Sequence, residues 1–361
     1  LSGNRALAGF TAPKLLWLAE HEPDVHARIR RVLLPKDYVR LRLCGEHATD
    51  VSDASGTLLF DVAARAWSGE LAQALAVDQN WLPTALESPT LSGRTAAGVP
   101  VAAGAGDQAA GALGVGIVGE GGPASIVLGT SGVVFAARER YSTTADGSLH
   151  AFCHAVPRVW HMMGVMLSAA GSLGWLHGVL GEGSGYDELL SEAALWEAGA
   201  EGLLFAPYLA GERTPYADPD ARGAFTGLSL RHDRGALVRA VLEGVAFGLR
   251  DCLDLLDAAG GAPTNARVSG GGSRGDLWLE ILAATLELPL ERTLIDAGAA
   301  YGAALLGGIA AGVFADAQEA TAQCVATTTT TEPNPRLAAQ YKRLRPSFQA
   351  LYPTLKQLRS S

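Results

Sequence analysis

One carboxylate in this sequence is set among glycines, in Gly104-Ala105-Gly106-Asp107-Gln108. Glycine lets the backbone come close to a bound molecule, and an acid placed there can take a proton from a substrate hydroxyl. Gln108 adds a neutral amide that both donates and accepts, a pairing suited to a polyol rather than to an anion. The competing reading is that Asp107 only caps the helix that follows.

A second turn, Gly129-Thr130-Ser131-Gly132, offers backbone N–H groups and two hydroxyls, which together can receive phosphate oxygens without any positive charge. Its alternative is an ordinary hairpin turn. A third, Gly270-Gly271-Gly272-Ser273, removes side chains where a flat ring could lie on the backbone, just ahead of a helix predicted from Asp276. Each turn is weak evidence alone. Their recurrence after successive apolar strands is stronger, because ligands of α/β folds gather beyond strand ends.

Other chemistries lack their residues. There is no GxxxxGK[ST] and no strand-linked GxGxxG with a following ribose acid, which argues against a Walker ATPase and a Rossmann dehydrogenase. His150 and His154 flank Cys153, but on a strand the cysteine points away from the histidine face, and the ligand count for a closed zinc site is not met. Gly181-Glu182-Gly183-Ser184-Gly185 resembles a nucleophile elbow in letters only, without a flanking strand, and reads as a loop.

These turns need elements to hold them. Residues 1 to about 95 read as mainly helical, with Asp24, Arg28 and Arg31 sharing one polar helix face. The segment Asp50 to Thr57 is rich in capping residues, whose hydroxyls and carboxylates could equally line a polar pocket. Val99–Ala103 reads as a strand, and Ala124–Leu128 as a second one with Val133–Ala136 as its antiparallel partner. A hairpin is predicted around Pro157-Arg158, helices over 168–180, 237–256 and 276–286, and a Gly/Ala-rich helix over 298–311. The threonine run 327–331 reads as a loop before Pro333 and Pro335, and a last helix starts at Arg336.

The chain has 361 residues, enough for two domains, and 48% of them are hydrophobic, a globular composition. Lys and Arg number 28 against 37 Asp and Glu, so the formal charge is 28 − 37 = −9. That is the wrong sign for a nucleic-acid binder. Four scattered cysteines suit reduced thiols and a cytoplasmic setting. No run approaches the roughly 18 apolar residues of a membrane span, so no membrane partner is expected.

With these residues in view, the sequence resembles the FGGY carbohydrate kinases. The resemblance is carried by Gly9–His21, by Leu34-Pro35-Lys36-Asp37-Tyr38, by Asp53–Thr57, and by Gly223–Leu228 with Arg239–Gly244. Ala236 stands where such proteins usually have a polar residue, a difference expected to alter only a helix surface. Pro207–Pro215, His150–His154 and Val165–Ala170 look like the branch acting on D-xylulose rather than the glycerol branch.

The resemblance implies an α/β, actin-like ATPase (ribonuclease H-like) sugar kinase fold of two domains around a cleft. Residues 1–117 would belong to the sugar-binding domain and residues 118–361 to the nucleotide-binding domain. It implies ATP-dependent phosphorylation of D-xylulose to D-xylulose 5-phosphate with ATP and Mg2+ as cofactors. Asp107 would be the catalytic base and Gln108 a sugar contact. Gly129 and Thr130 would meet phosphate, and Gly270, Gly271 and Gly275 the adenosine. Such kinases open with a strand and an Asp-x-Gly-Thr turn that has no counterpart here, so the first domain is expected to be incomplete. Kinases of ribulose, gluconate or glycerol, and a non-catalytic sugar- or nucleotide-binding fragment, remain open alternatives, as does a homodimer.

Overall fold

The computed structural model describes residues 2–180 and 183–360. The chain packs as two compact units, one formed by residues 1–122, 136–162 and 295–326 and the other by residues 123–135, 163–294 and 327–361.

The first unit is a mixture of helices and very short strands. Helix Pro35–Cys44 opens on a proline, whose fixed φ suits the first helical position, and closes at Gly45 with φ 79°. Strand Ala48–Asp50 pairs in parallel with Thr84–Leu86, and Leu91–Arg94 pairs antiparallel with Pro100–Ala102. Helices make up most of the regular structure here, as the sequence suggests, but the strands between them do not show in it. These strands are two to four residues long, too short to show an alternation. The polar face expected from Asp24, Arg28 and Arg31 does not form, because the helix there spans only Pro23–His26. Arg28 instead donates from Nε to the Asp24 carbonyl at 3.1 Å.

Helix Asp107–Gly114 packs along helix Ala299–Ala310, the Gly/Ala-rich segment. A Cβ on Gly302 would lie 1.8 Å from the Ala110 carbonyl oxygen, so only glycine permits this approach. Ala109, Leu113, Leu305 and Leu306 bury their side chains in the same cluster.

In the second unit, strand Ala266–Ser269 lies parallel to both Leu290–Thr293 and Ala124–Leu128, and Ala124–Leu128 pairs antiparallel with Gly132–Arg138. Thr327–Thr331, read from sequence as a loop, is an edge strand antiparallel to Leu290–Thr293. Five β-branched residues favour extended backbone, and the two prolines fall just beyond the strand, where they end it rather than prevent it. Helix Arg234–Ala258 is buried along most of its length and is capped by Asp233, whose Oδ1 accepts from Ala236 N at 3.0 Å. Ala236 is fully buried. Its difference from the usual polar residue thus lies in the core at the first helical turn, not on a surface.

Candidate active site

The predicted acid is presented to solvent. Asp107 is the first residue of helix Asp107–Gly114, whose N-cap is Gly106 with no side-chain cap. Asp107 is exposed and its Oδ1 accepts from Gln108 N at 2.7 Å, while Gln108 is half-buried. The turn before it is sharply bent at Gly104, with φ 87°.

Beneath this turn lies a charged network that the sequence hints at only through its capping residues. Asp50, fully buried at the end of its strand, caps the one-turn helix Val51–Ala54 by accepting from Ser52 N at 2.8 Å. It also accepts from Ser52 Oγ at 2.5 Å and Ser88 Oγ at 2.8 Å. Lys36 Nζ lies 2.6 Å from Asp37, 2.9 Å from Asp50 and 3.6 Å from Asp53. Arg40 lies 3.6 Å from Asp37 and donates to the Ala48 carbonyl. Burial works against the Lys36 charge, but Asp50, Asp53 and Asp37 outweigh it and hold its pKa above the ordinary lysine value. Burial pushes the Asp53 carboxyl up to about 7 despite Lys36, with Asp50 and Asp37 adding to the rise.

The other predicted residues gather in the second unit. The carbonyl of Gly129 accepts from Ala170 N at 2.8 Å, and that of Thr130 accepts from Ala169 N at 2.8 Å and Gly171 N at 3.2 Å, tying this turn to helix Ala170–Leu180. Gly270, at φ 88° and ψ 169°, presses on the same turn. A Cβ there would stand 2.8 Å from the Leu128 carbonyl oxygen and 3.2 Å from Gly129 N. Gly129, Thr130 and Gly270 are thus brought together, whereas Asp107 and Gln108 belong to the first unit.

Gly271 faces open space and, with Gly275, lines a cavity of about 510 Å³ whose walls include Leu173, Tyr186, Leu190 and Trp278. Asp187 and Arg274 also line it, and its size and mostly apolar walls suit a planar ring. The sequence reading missed Leu173, Tyr186, Leu190 and Trp278, because their helical spacing carries the same signal as an ordinary core face.

The remaining motifs have structural explanations. His154 Nδ1 accepts from Val156 N at 3.1 Å, and its ring meets that of His161 at 5.9 Å. Burial lowers His154 to about 3, holds His161 well below the ordinary histidine value, and pushes the Cys153 thiol up to about 11. Among the described residues no three metal-ligating side chains converge. Gly181 and Glu182 lie outside the described residues, and Ser184 Oγ donates to Glu188 Oε1 at 3.0 Å. The four cysteines are free thiols, and among the described residues no helix is long and apolar enough to cross a membrane.

Residues 1–114 match the N-terminal domain, and residues 124–311 the C-terminal domain, of the FGGY family of carbohydrate kinases. The chain belongs to this family. It is 45% identical over 321 residues to the xylulose kinase of Escherichia coli K12, covering 86% of this chain and 66% of that protein. It is 40% identical to the xylulose kinase of Klebsiella pneumoniae, over 100% of this chain and 76% of that protein. A solved structure described as a xyloylose kinase from Brucella ovis superposes with a TM-score of 0.91 at 44% identity, over 99% of this chain and 75% of that one. The fold is that of the two-domain FGGY sugar kinases. The chain spans about two thirds to three quarters of the length of these relatives.

Proposed function

We propose that this FGGY kinase transfers the γ-phosphoryl group of MgATP to D-xylulose, giving D-xylulose 5-phosphate and ADP. The carrying observation is the 38–45% identity to three proteins named xylulose kinase, each matched over 86% or more of this chain. The geometry agrees with that chemistry: an exposed acid on a glycine turn for the sugar, and neutral glycine turns beside a ring-sized cavity for the nucleotide.

In this reading residues 1–117 serve the sugar and residues 118–361 the nucleotide. Asp107 accepts the proton of the terminal sugar hydroxyl as that oxygen attacks the γ-phosphorus and the bond to the β-phosphate oxygen breaks. Gln108 orients a neighbouring hydroxyl. Phosphoryl transfer needs little covalent help from the protein, so the gain comes from placing the attacking oxygen and stabilising charge on the phosphoryl group. Main-chain amides around Gly129 and Thr130 supply part of that stabilisation, and the magnesium that arrives with ATP neutralises more. The adenosine rests on Gly270, Gly271 and Gly275, with the base in the cavity walled by Trp278. An all-protein metal cage is not required, since Mg2+ in such sites is held largely by substrate phosphates and water. The cytoplasm, where ATP is found and thiols stay reduced, is the fitting compartment.

Replacing Asp107 with Asn in the intact protein should lower kcat at least about 1,000-fold, at the larger end of general-base effects, while ATP affinity stays within about twofold. ADP release measured with xylulose, ribulose, gluconate and glycerol sets the sugar. Undiminished turnover in Asp107→Asn would remove that residue from the role, and a faster reaction on another sugar would replace xylulose.

A further inference from the structure

The exposed carboxylate of Asp107 has to be located by its backbone, and the backbone just before it is held from below. Gly106 N donates to Ser52 Oγ at 3.0 Å, and Ser52 Oγ donates onward to the buried Asp50 carboxylate at 2.5 Å. Asp50 is itself fixed by Lys36 at 2.9 Å and Ser88 at 2.8 Å. A relay therefore runs from the Gly106 amide to a buried ion pair. Asp53 closes the arrangement: its Oδ1 lies 3.4 Å from where a Cβ of Gly106 would stand, and Lys36 Cδ lies 3.8 Å from the corresponding position on Gly104. Both glycines rest on the Lys36–Asp53 pair.

We propose that Ser52 and Asp53 are positioning residues for the acid at 107, acting through Gly106. The inference rests on the kinase reading above for its effect on rate, and on the contacts alone for its effect on the turn. Ser52 supplies an oriented acceptor whose own proton is committed to Asp50, so it binds the Gly106 amide in one geometry. Asp53, faced by Lys36, Asp50 and Asp37, supplies a wall that stays in place because Lys36 ties it. An acid displaced by about 1 Å from its hydroxyl can lose on the order of 100-fold in rate.

The test uses Ser52→Ala and Asp53→Asn in the intact protein, with steady-state kinetics on xylulose, ATP binding by calorimetry, and amide exchange at Gly106. For Ser52→Ala, kcat should fall about 30-fold, between no effect and the full cost of a 1 Å misplacement, while ATP affinity stays within about twofold. Gly106 amide exchange should quicken at least about tenfold, the consequence of losing its acceptor. Asp53→Asn keeps the shape and should lower kcat about fivefold with the same split. Should the unaltered protein phosphorylate no sugar, the kinase reading fails, and Gly106 exchange still decides the positioning. Unchanged exchange at Gly106 in Ser52→Ala, or equal losses of kcat and ATP affinity in both variants, would overturn the inference.

Discussion

The acid-bearing turn at 104–107 and the glycine turns at 129–132 and 270–275 are supported in opposite ways. The first rests on side-chain contacts: Lys36 reaches the carboxyl groups of Asp37, Asp50 and Asp53, and Ser52 links the turn to Asp50. The second is backbone against backbone, with Gly270 packed on Leu128 and Gly129 and the Gly129 and Thr130 carbonyls bound to Ala169, Ala170 and Gly171. The turn that carries the proposed acid is braced from below by charged side chains, while Asp107 itself faces solvent. Turns that would receive a polyanion are built from dipoles, which attract phosphate oxygens yet leave the chain at its net charge of −9. Glycine serves both regions for different reasons. Under Asp107 it lets two helices approach, whereas at 270 it lets a turn adopt a conformation that side chains avoid.

The largest expected effect tests the first region. Gly302→Ala forces a Cβ to 1.8 Å from the Ala110 carbonyl oxygen, on the helix whose first residue is Asp107. Overpacking of this kind costs about 3 kcal/mol, and backbone rather than a flexible side chain is the obstacle. Alanine's better helix propensity returns only about 1 kcal/mol. Urea denaturation should show the loss, and a midpoint equal to that of the unaltered protein would break the account of how Asp107's helix is seated.

A smaller effect tests the second region. Gly270→Ala places a Cβ 2.8 Å from the Leu128 carbonyl oxygen at φ 88° and ψ 169°, a region open almost only to glycine. The expected strain of about 1–3 kcal/mol should appear as ATP affinity lowered about tenfold, with sugar affinity little changed. Equal losses of both affinities would erase the distinction between the regions. Unaltered ATP affinity would separate Gly270 from the nucleotide.

The sequence exposed one of these supports far better than the other. The strand, glycine turn and strand over 124–138, and the strand, glycine turn and helix over 266–286, were legible because the apolar runs are long enough and the glycines mark their ends. The buried ion network was not, because Lys36, Asp50 and Asp53 are scattered and each alone reads as helix capping or surface charge. Asp50 does cap a helix, so that reading was right, yet it omits the pairing with Lys36 that only folding creates. The short strands of the first 95 residues escaped notice for want of length. The threonine strand at 327–331 was misread because its pairing with Leu290–Thr293, not its local composition, makes it a strand. Tyr186 and Trp278 look like any core aromatic until a cavity opens beside them.

The smallest effect sharpens the comparison through pH. Burial holds His154 neutral down to about 3, against an ordinary value of 6.5, so between these values the unfolded chain binds a proton that the folded one does not. Stability from this residue is complete above 6.5 and declines as the pH falls toward 3. Asp53 runs the other way: its folded value of about 7 exceeds the ordinary 3.8, so its contribution is complete below 3.8 and lost as the pH rises through 7. Between pH 7 and pH 5, acid weakening of the first unit is therefore expected from His154 and His161 and not from Asp53. His154→Asn retains an acceptor for Val156 N but does not titrate in this range. Between pH 7 and pH 5 its melting temperature should fall less than that of the unaltered protein, by on the order of 5 °C. Amide exchange should localise the difference to His150–Cys153, with Ala266–Ser269 unaffected. An equal fall in both proteins would move the acid-sensitive group elsewhere and leave the two regions alike in their response to protons.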